Sequence, residues 1–151
     1  MGILRSILIR FGLADFRADR SPINVFLLDD DHRRHRWFKK RFVGDEIDIA
    51  EDVENAKKFL SENVYDAVFL DHDLLPEHYE SSERDDQRTG YAIAHWLTEN
   101  IEIQKSATFI VHTRNADGAV RMVEKLRESN RTVEYVPFPM LEQRIKSYWK
   151  R

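Results

Sequence analysis

The chain has 151 residues, a formal net charge of −3, 42% hydrophobic and 34% charged residues, and no cysteine. These totals describe one soluble globular domain that can bury a core without covalent staples, and they exclude disordered and fibrous classes. They also exclude disulfides and thiolate chemistry and fit a reducing cytoplasm; with no general pull on nucleic acid or anionic membranes, a phosphate-bearing partner must be held by a local site.

The chain opens with Ile3, Leu4, Ile7, Leu8 and Phe11 at helical spacing and Arg5 and Arg10 between them. This amphipathic segment is too short and too interrupted by arginine for a membrane span, and it lacks the small-residue cleavage site of a signal peptide. Residues 1–22 are therefore expected to form an added helix that docks on the domain or on a second copy, so a homodimer is among the expected states. Residues 23–151 form the domain itself.

From Asn24 onward, short apolar runs alternate five times with segments of helical period, the rhythm of βα units. The runs are Asn24–Asp29, Glu46–Ala50, Asp66–Asp71, Ala107–His112 and Thr132–Pro137. The first, third and fourth are continuously apolar, as parallel strands covered on both faces must be, and the other two are mixed, as edges are. This predicts an α/β, flavodoxin-like five-stranded parallel sheet in the order 2-1-3-4-5. The expected helical stripes are Trp37, Phe38 and Phe42; Val53, Ala56, Phe59 and Leu60; Ile93, Trp96 and Leu97; Val120, Val123 and Leu126; and Leu141, Ile145, Tyr148 and Trp149. Between Asp73 and Thr89 runs a long connection without apolar period, expected to overhang the ligand crevice.

In such a sheet the carboxyl ends of the central strands converge. The first run ends in Asp29, Asp30 and Asp31, the third in Asp71, His72 and Asp73, and the fourth in His112 and Thr113, with Asn115 following. Carboxylates gathered this way repel, and a hard divalent cation, Mg²⁺ or Mn²⁺, is the simplest relief. Asp29, Asp30 and Asp71, with Asp73 beside them, are its candidate ligands, whereas Asp31 reads as a helix cap. His72 and His112 stand next to the acids, where an imidazole can exchange protons with a phosphate ester, and the sequence leaves open which is the base. His78 and His95 read as surface residues. Arg34, His35, Thr113 and Asn115 are candidate phosphate holders, although most cations of the run containing Arg34 should line a solvated helix face.

The blocks FLLDDDHRRHRWF, VFLDHDL, TGYAIAHWL, VHTRNADGAVRM and VPFP resemble, in order, the cyclic-phosphate processing receiver family, a branch of the response-regulator receiver superfamily. The resemblance covers most of residues 24–139. It implies a receiver-like fold recast to act on cyclic phosphates, with the family's motifs falling on Asp29 and Asp30; on Arg34 and His35; on Asp71, His72 and Asp73; and on His112, Asn115 and Gly118. Ordinary receivers, which phosphorylate the aspartate at the Asp71 position, end their fifth strand in a lysine. TVEYVPFP contains none, and the two histidines have no duty in that switch.

Three functions fit these residues. The leading expectation is a metal-dependent phosphoesterase that opens a cyclic phosphate on a nucleotide or RNA end, with Asp71, His72 and His112 as the reacting groups. The second is a receiver phosphorylated on Asp71, and the third a module that binds a cyclic nucleotide without turnover.

Overall fold

The computed structural model describes residues 20–74 and 87–150. The amphipathic N-terminal helix, His78 and most of the connection between Asp73 and Thr89 lie outside them.

Five strands, β1 (Asn24–Leu28), β2 (Glu46–Ala50), β3 (Ala67–Leu70), β4 (Thr108–Val111) and β5 (Thr132–Tyr135), pair in parallel in the order 2-1-3-4-5. The helices are α1 (His32–Arg41), α2 (Val53–Glu62), α3 (Gly90–Glu99) and α4 (Ala116–Glu128), then, after a 3-10 turn at Phe138–Met140, α5 (Leu141–Tyr148). Side chains alternate across a strand, so one sequence feeds two cores. Phe26, Leu28, Val68, Leu70, Phe109 and Val111 pack against α2, α3 and α4. Val25, Leu27, Ala67, Phe69 and Ile110 meet Phe38 of α1, Phe42 at its C-terminal cap, and Leu141 and Ile145 of α5. The central strands are buried almost throughout, whereas β2 and β5 are only partly covered.

Two expected core residues face outward: Val120 is 51% exposed and Tyr148 39%. In α4 the buried stripe is Ala119, Met122, Val123 and Leu126, a cleaner i, i+3, i+4, i+7 series that leaves Val120 on the far side. Helix starts follow the polar punctuation. The side chains of Asp31, Asp52 and Asn115 accept the backbone N–H of Arg33, Asn55 and Gly118. No helix among the described residues is long and apolar enough to cross a membrane.

Register brings the strand ends into line, because Leu28 pairs with Leu70 and Leu70 with Val111. The ladder continues one step further: Asp71 N donates to Leu28 O at 2.9 Å and His112 N to Leu70 O at 3.1 Å. Asp29, Asp71 and His112 therefore stand side by side at the sheet edge. Helix α3 closes on the same edge, where Gly90 N donates to His72 O at 2.8 Å. A Cβ at Gly90 would collide with the Asp71 carbonyl oxygen. Gly90→Ala should accordingly lower the unfolding free energy by about 2 kcal/mol or more in urea denaturation, since backbone rather than a flexible side chain must yield. Unchanged stability would mean that α3 is free to shift.

Candidate functional site

Asp29 is fully buried and is gripped from every side. Its Oδ1 accepts Asp31 N (2.8 Å) and Arg34 Nη2 (2.8 Å), and its Oδ2 accepts Arg34 Nε (2.7 Å) and His112 Nε2 (2.8 Å). Four donors fill the lone-pair positions of a carboxylate. The Asp29 carbonyl accepts the His35 Nε2–H at 2.6 Å, so both histidines serve this one residue. Burial works to raise the Asp29 carboxyl, but the bonds from His112 and Arg34 outweigh it and hold the group below its usual range.

Arg34 reaches further. Its Nη2 lies 2.9 Å from Asp71 Oδ2, so a single guanidinium bridges the ends of β1 and β3. Burial disfavours its charge, and pairing with Asp29 and Asp71 more than restores it, so Arg34 remains cationic. The relief that the sequence assigned to a metal is thus supplied in part by the chain. Asp71 is 3% exposed and Oδ1 accepts His72 N at 2.9 Å. Its carboxyl is pushed up, first by burial and then by Asp29, against the pull of His112, Arg34 and the Thr113 hydroxyl.

Asp30 is the acid that Arg34 does not satisfy. Half-buried and flanked by the charges of Asp29 and Asp71, it is pushed up to about 6, with burial the larger cause. Oxygens of Asp29, Asp30 and Asp71 all lie within 4.8 Å of one another, an arrangement that could hold a metal ion. Because the lone pairs of Asp29 are taken, the carboxylates with room for a cation are Asp30 and Asp71. Asp73, expected as a further ligand, is not in that trio. Its Oδ1 instead takes His72 Nδ1 at 2.7 Å.

The two histidines expected to move protons are differently placed. His112 is 1% exposed, its Nε2 is committed to Asp29, and its Nδ1 is buried without a hydrogen-bond partner. Phe38 and Phe69 lie against it, with ring centroids 5.6 and 6.5 Å away. His72 is enclosed between Asp73 and the first turn of α4, where a Cβ at Gly118 would meet the ring at 2.7 Å. Asn115 caps α4 through Gly118 N (2.9 Å), and Thr113 Oγ1 accepts Asn115 N (3.1 Å). Outside these buried contacts lies an open cavity of about 310 Å³ lined by Asp30, Asp31, Arg33, Arg34 and Arg114. Arg114 was not read from the sequence as a site residue, since a lone arginine between Thr113 and Asn115 carries no pattern.

Two measurements test this arrangement. Asp30 has a folded-state value above its unfolded one, so its contribution is intact at pH below about 4 and is lost as pH rises through about 6. Asp30→Asn should therefore raise the melting temperature at pH 7, by about 2–4 °C after discounting for solvent exposure, and change nothing near pH 4. An equal effect at both pH values would contradict the charge assignment. For His112, Ala should cost about 2–3 kcal/mol in chemical denaturation, through a lost bond to a carboxylate and a cavity. Gln, whose amide nitrogen can replace Nε2, should cost less than half of that.

Comparison with known proteins agrees with this fold. Residues 23–128 match the family described as the cyclic-phosphate processing receiver domain. The fold is similar to the signal receiver domain of an HD domain-containing protein from Pseudomonas fluorescens (17% identity, 85% of this chain and 91% of that one, TM-score 0.60). It is also similar to a receiver domain from Methylobacillus flagellatus (19%, 85% and 99%, 0.59). A third similar structure is a response regulator from Burkholderia pseudomallei with a phosphorylated aspartic acid, a calcium ion and citrate (17%, 83% and 65%, 0.58). No curated protein matches the chain. With a receiver sheet, strand ends carrying the expected acids, and a family match over most of its length, the chain belongs to the cyclic-phosphate processing receiver domain family.

Proposed function

We propose that this receiver domain takes up a phosphoryl group at its acidic pocket, with Asp71 as the acceptor carboxylate and Arg34 as the cation that steadies the phosphoryl oxygens. The observation that carries this reading is the 2.9 Å contact between Arg34 Nη2 and Asp71 Oδ2. An ordinary receiver brings that cation from the end of its fifth strand. Here β5 is followed by Val136, which is 4% exposed, and Pro137, so the missing lysine counts against phosphorylation only until α1 supplies a guanidinium in its place. Arginine presents a planar fork that suits phosphate oxygens as well as carboxylates.

The donor set also suits a divalent cation. Arg34 compensates Asp29 and Asp71, while burial first and then the charges of Asp29 and Asp71 push the Asp30 carboxyl up to about 6. Mg²⁺ or Mn²⁺ on Asp30 and Asp71 would supply Lewis-acid polarisation of a phosphoryl oxygen. The chain's own part is to hold Asp29 and Arg34 rigid, keep water from the buried side of Asp71, and offer one Asp71 oxygen to phosphorus. An Asp71 O–P bond would form as the donor's bond from phosphorus to its leaving group breaks, P–O in an acyl phosphate or P–N in a phosphoramidate, and the leaving group would take the electron pair. The Burkholderia relative with its phosphorylated aspartate supports this reading by likeness of fold.

A second reading, opening of a cyclic phosphate by water, draws on the family's description and on His72, whose pairing with Asp73 at 2.7 Å suits proton transfer to a departing hydroxyl. One pair of assays separates the two. Incubation with acetyl phosphate or phosphoramidate and Mg²⁺ should leave a hydroxylamine-sensitive phosphate on the wild-type chain and none on Asp71→Asn. Absence of label with every divalent metal, together with turnover of 2′,3′-cyclic nucleotides that is lost in His72→Ala, would replace the first reading with the second.

A further inference from the structure

We propose that Arg114 forms the second half of a two-phosphate site: the ligand sets one phosphoryl group against Arg34, Asp30 and Asp71, and a second phosphate against Arg114. This deepens the phosphoryl-binding reading and rests on it. The cavity at the pocket mouth carries three guanidiniums against two carboxylates, and their commitments differ. Arg34 is bound to Asp29 and Asp71, and Arg33 to Asp31, with Nη2 3.1 Å from Oδ2. Arg114 is exposed, and among the described residues nothing pairs with its side chain.

Its backbone is nonetheless fixed on both sides. Thr113 is buried and its carbonyl accepts the Tyr135 hydroxyl at 3.1 Å, while Asn115 caps α4. A free guanidinium on a rigid mount, at the mouth of a cavity whose other two guanidiniums are already paired with carboxylates, is suited to an anion brought by a ligand. At about 310 Å³ the cavity lies at the lower end of the roughly 300–1,000 Å³ range of small-molecule sites, well beyond the size of a single phosphate. The ligand class is therefore an organic phosphate with two separate phosphate groups, as in a nucleoside bisphosphate.

Calorimetric titration at low salt with Mg²⁺, using adenosine 3′-monophosphate and adenosine 3′,5′-bisphosphate, tests the assignment. The bisphosphate should bind about tenfold more tightly, the increment of one charge-assisted contact. Arg114→Gln should abolish that increment while leaving monophosphate affinity within about twofold. Arg36→Gln, which removes an exposed cation of α1 outside the cavity, should leave the increment intact. Equal losses in the two variants would trace the effect to net charge and overturn the proposal. So would a bisphosphate that gains nothing although the monophosphate binds, which leaves the phosphoryl-binding reading standing. If neither compound binds, that reading falls as well.

Discussion

One guanidinium holds the working edge of this protein together. Two central strands end in buried or nearly buried aspartates, and the only cation reaching both within the described residues is Arg34, at 2.7 to 2.9 Å. Two carboxylates this close and this dry would repel, and one would have to protonate, if no positive charge lay between them. The planar fork bonds Asp29 through two nitrogens and still has a hydrogen for Asp71, which a lysine ammonium on a flexible stem does less rigidly. The remaining donors, His112, His35 and Asp31 N–H, all act on Asp29, so the arginine is fixed because its anchor is fixed.

Neighbouring aspartates of one chemical type thereby acquire separate duties. Asp29 has no free lone pair and is framework. Asp31 caps α1, and Asp73 orients His72. Of the three acids close enough to hold a metal ion, Asp30 and Asp71 keep lone pairs for something outside the chain, and Asp30 bears the cost of burial and of its neighbours' charges. Hydrogen-bond supply, rather than residue identity, sorts the acids.

Much of this was legible in the sequence. Continuously apolar NVFLL, AVFL and TFIV could only be central strands, and in a parallel sheet their last residues must meet. What was hard to read was the direction of side chains within helices. The run HRRHRWFKKR holds six arginines and lysines, and composition does not say which one turns inward. Phase does: with Asp31 as cap and Phe38 in the core, Arg34 stands at i−4 and His35 at i−3 from that phenylalanine, on the buried face. The same phase argument, applied to Ala119 and Met122, would have removed Val120 from the core. Gly90 and Arg114 gave no such sign, because a close backbone approach and an unpaired charge beside a cavity are properties of the assembled molecule.

The choice of α1, rather than β5, as the carrier of the central cation changes how the domain can respond. A strand in the sheet is clamped by its ladder, and Val136 at the end of β5 presents only hydrocarbon. A surface helix can slide or tilt on its packing face. Through Arg34, a change of charge on Asp71 would act first on α1, whose outward side carries Arg33, Arg36, Lys39 and Lys40.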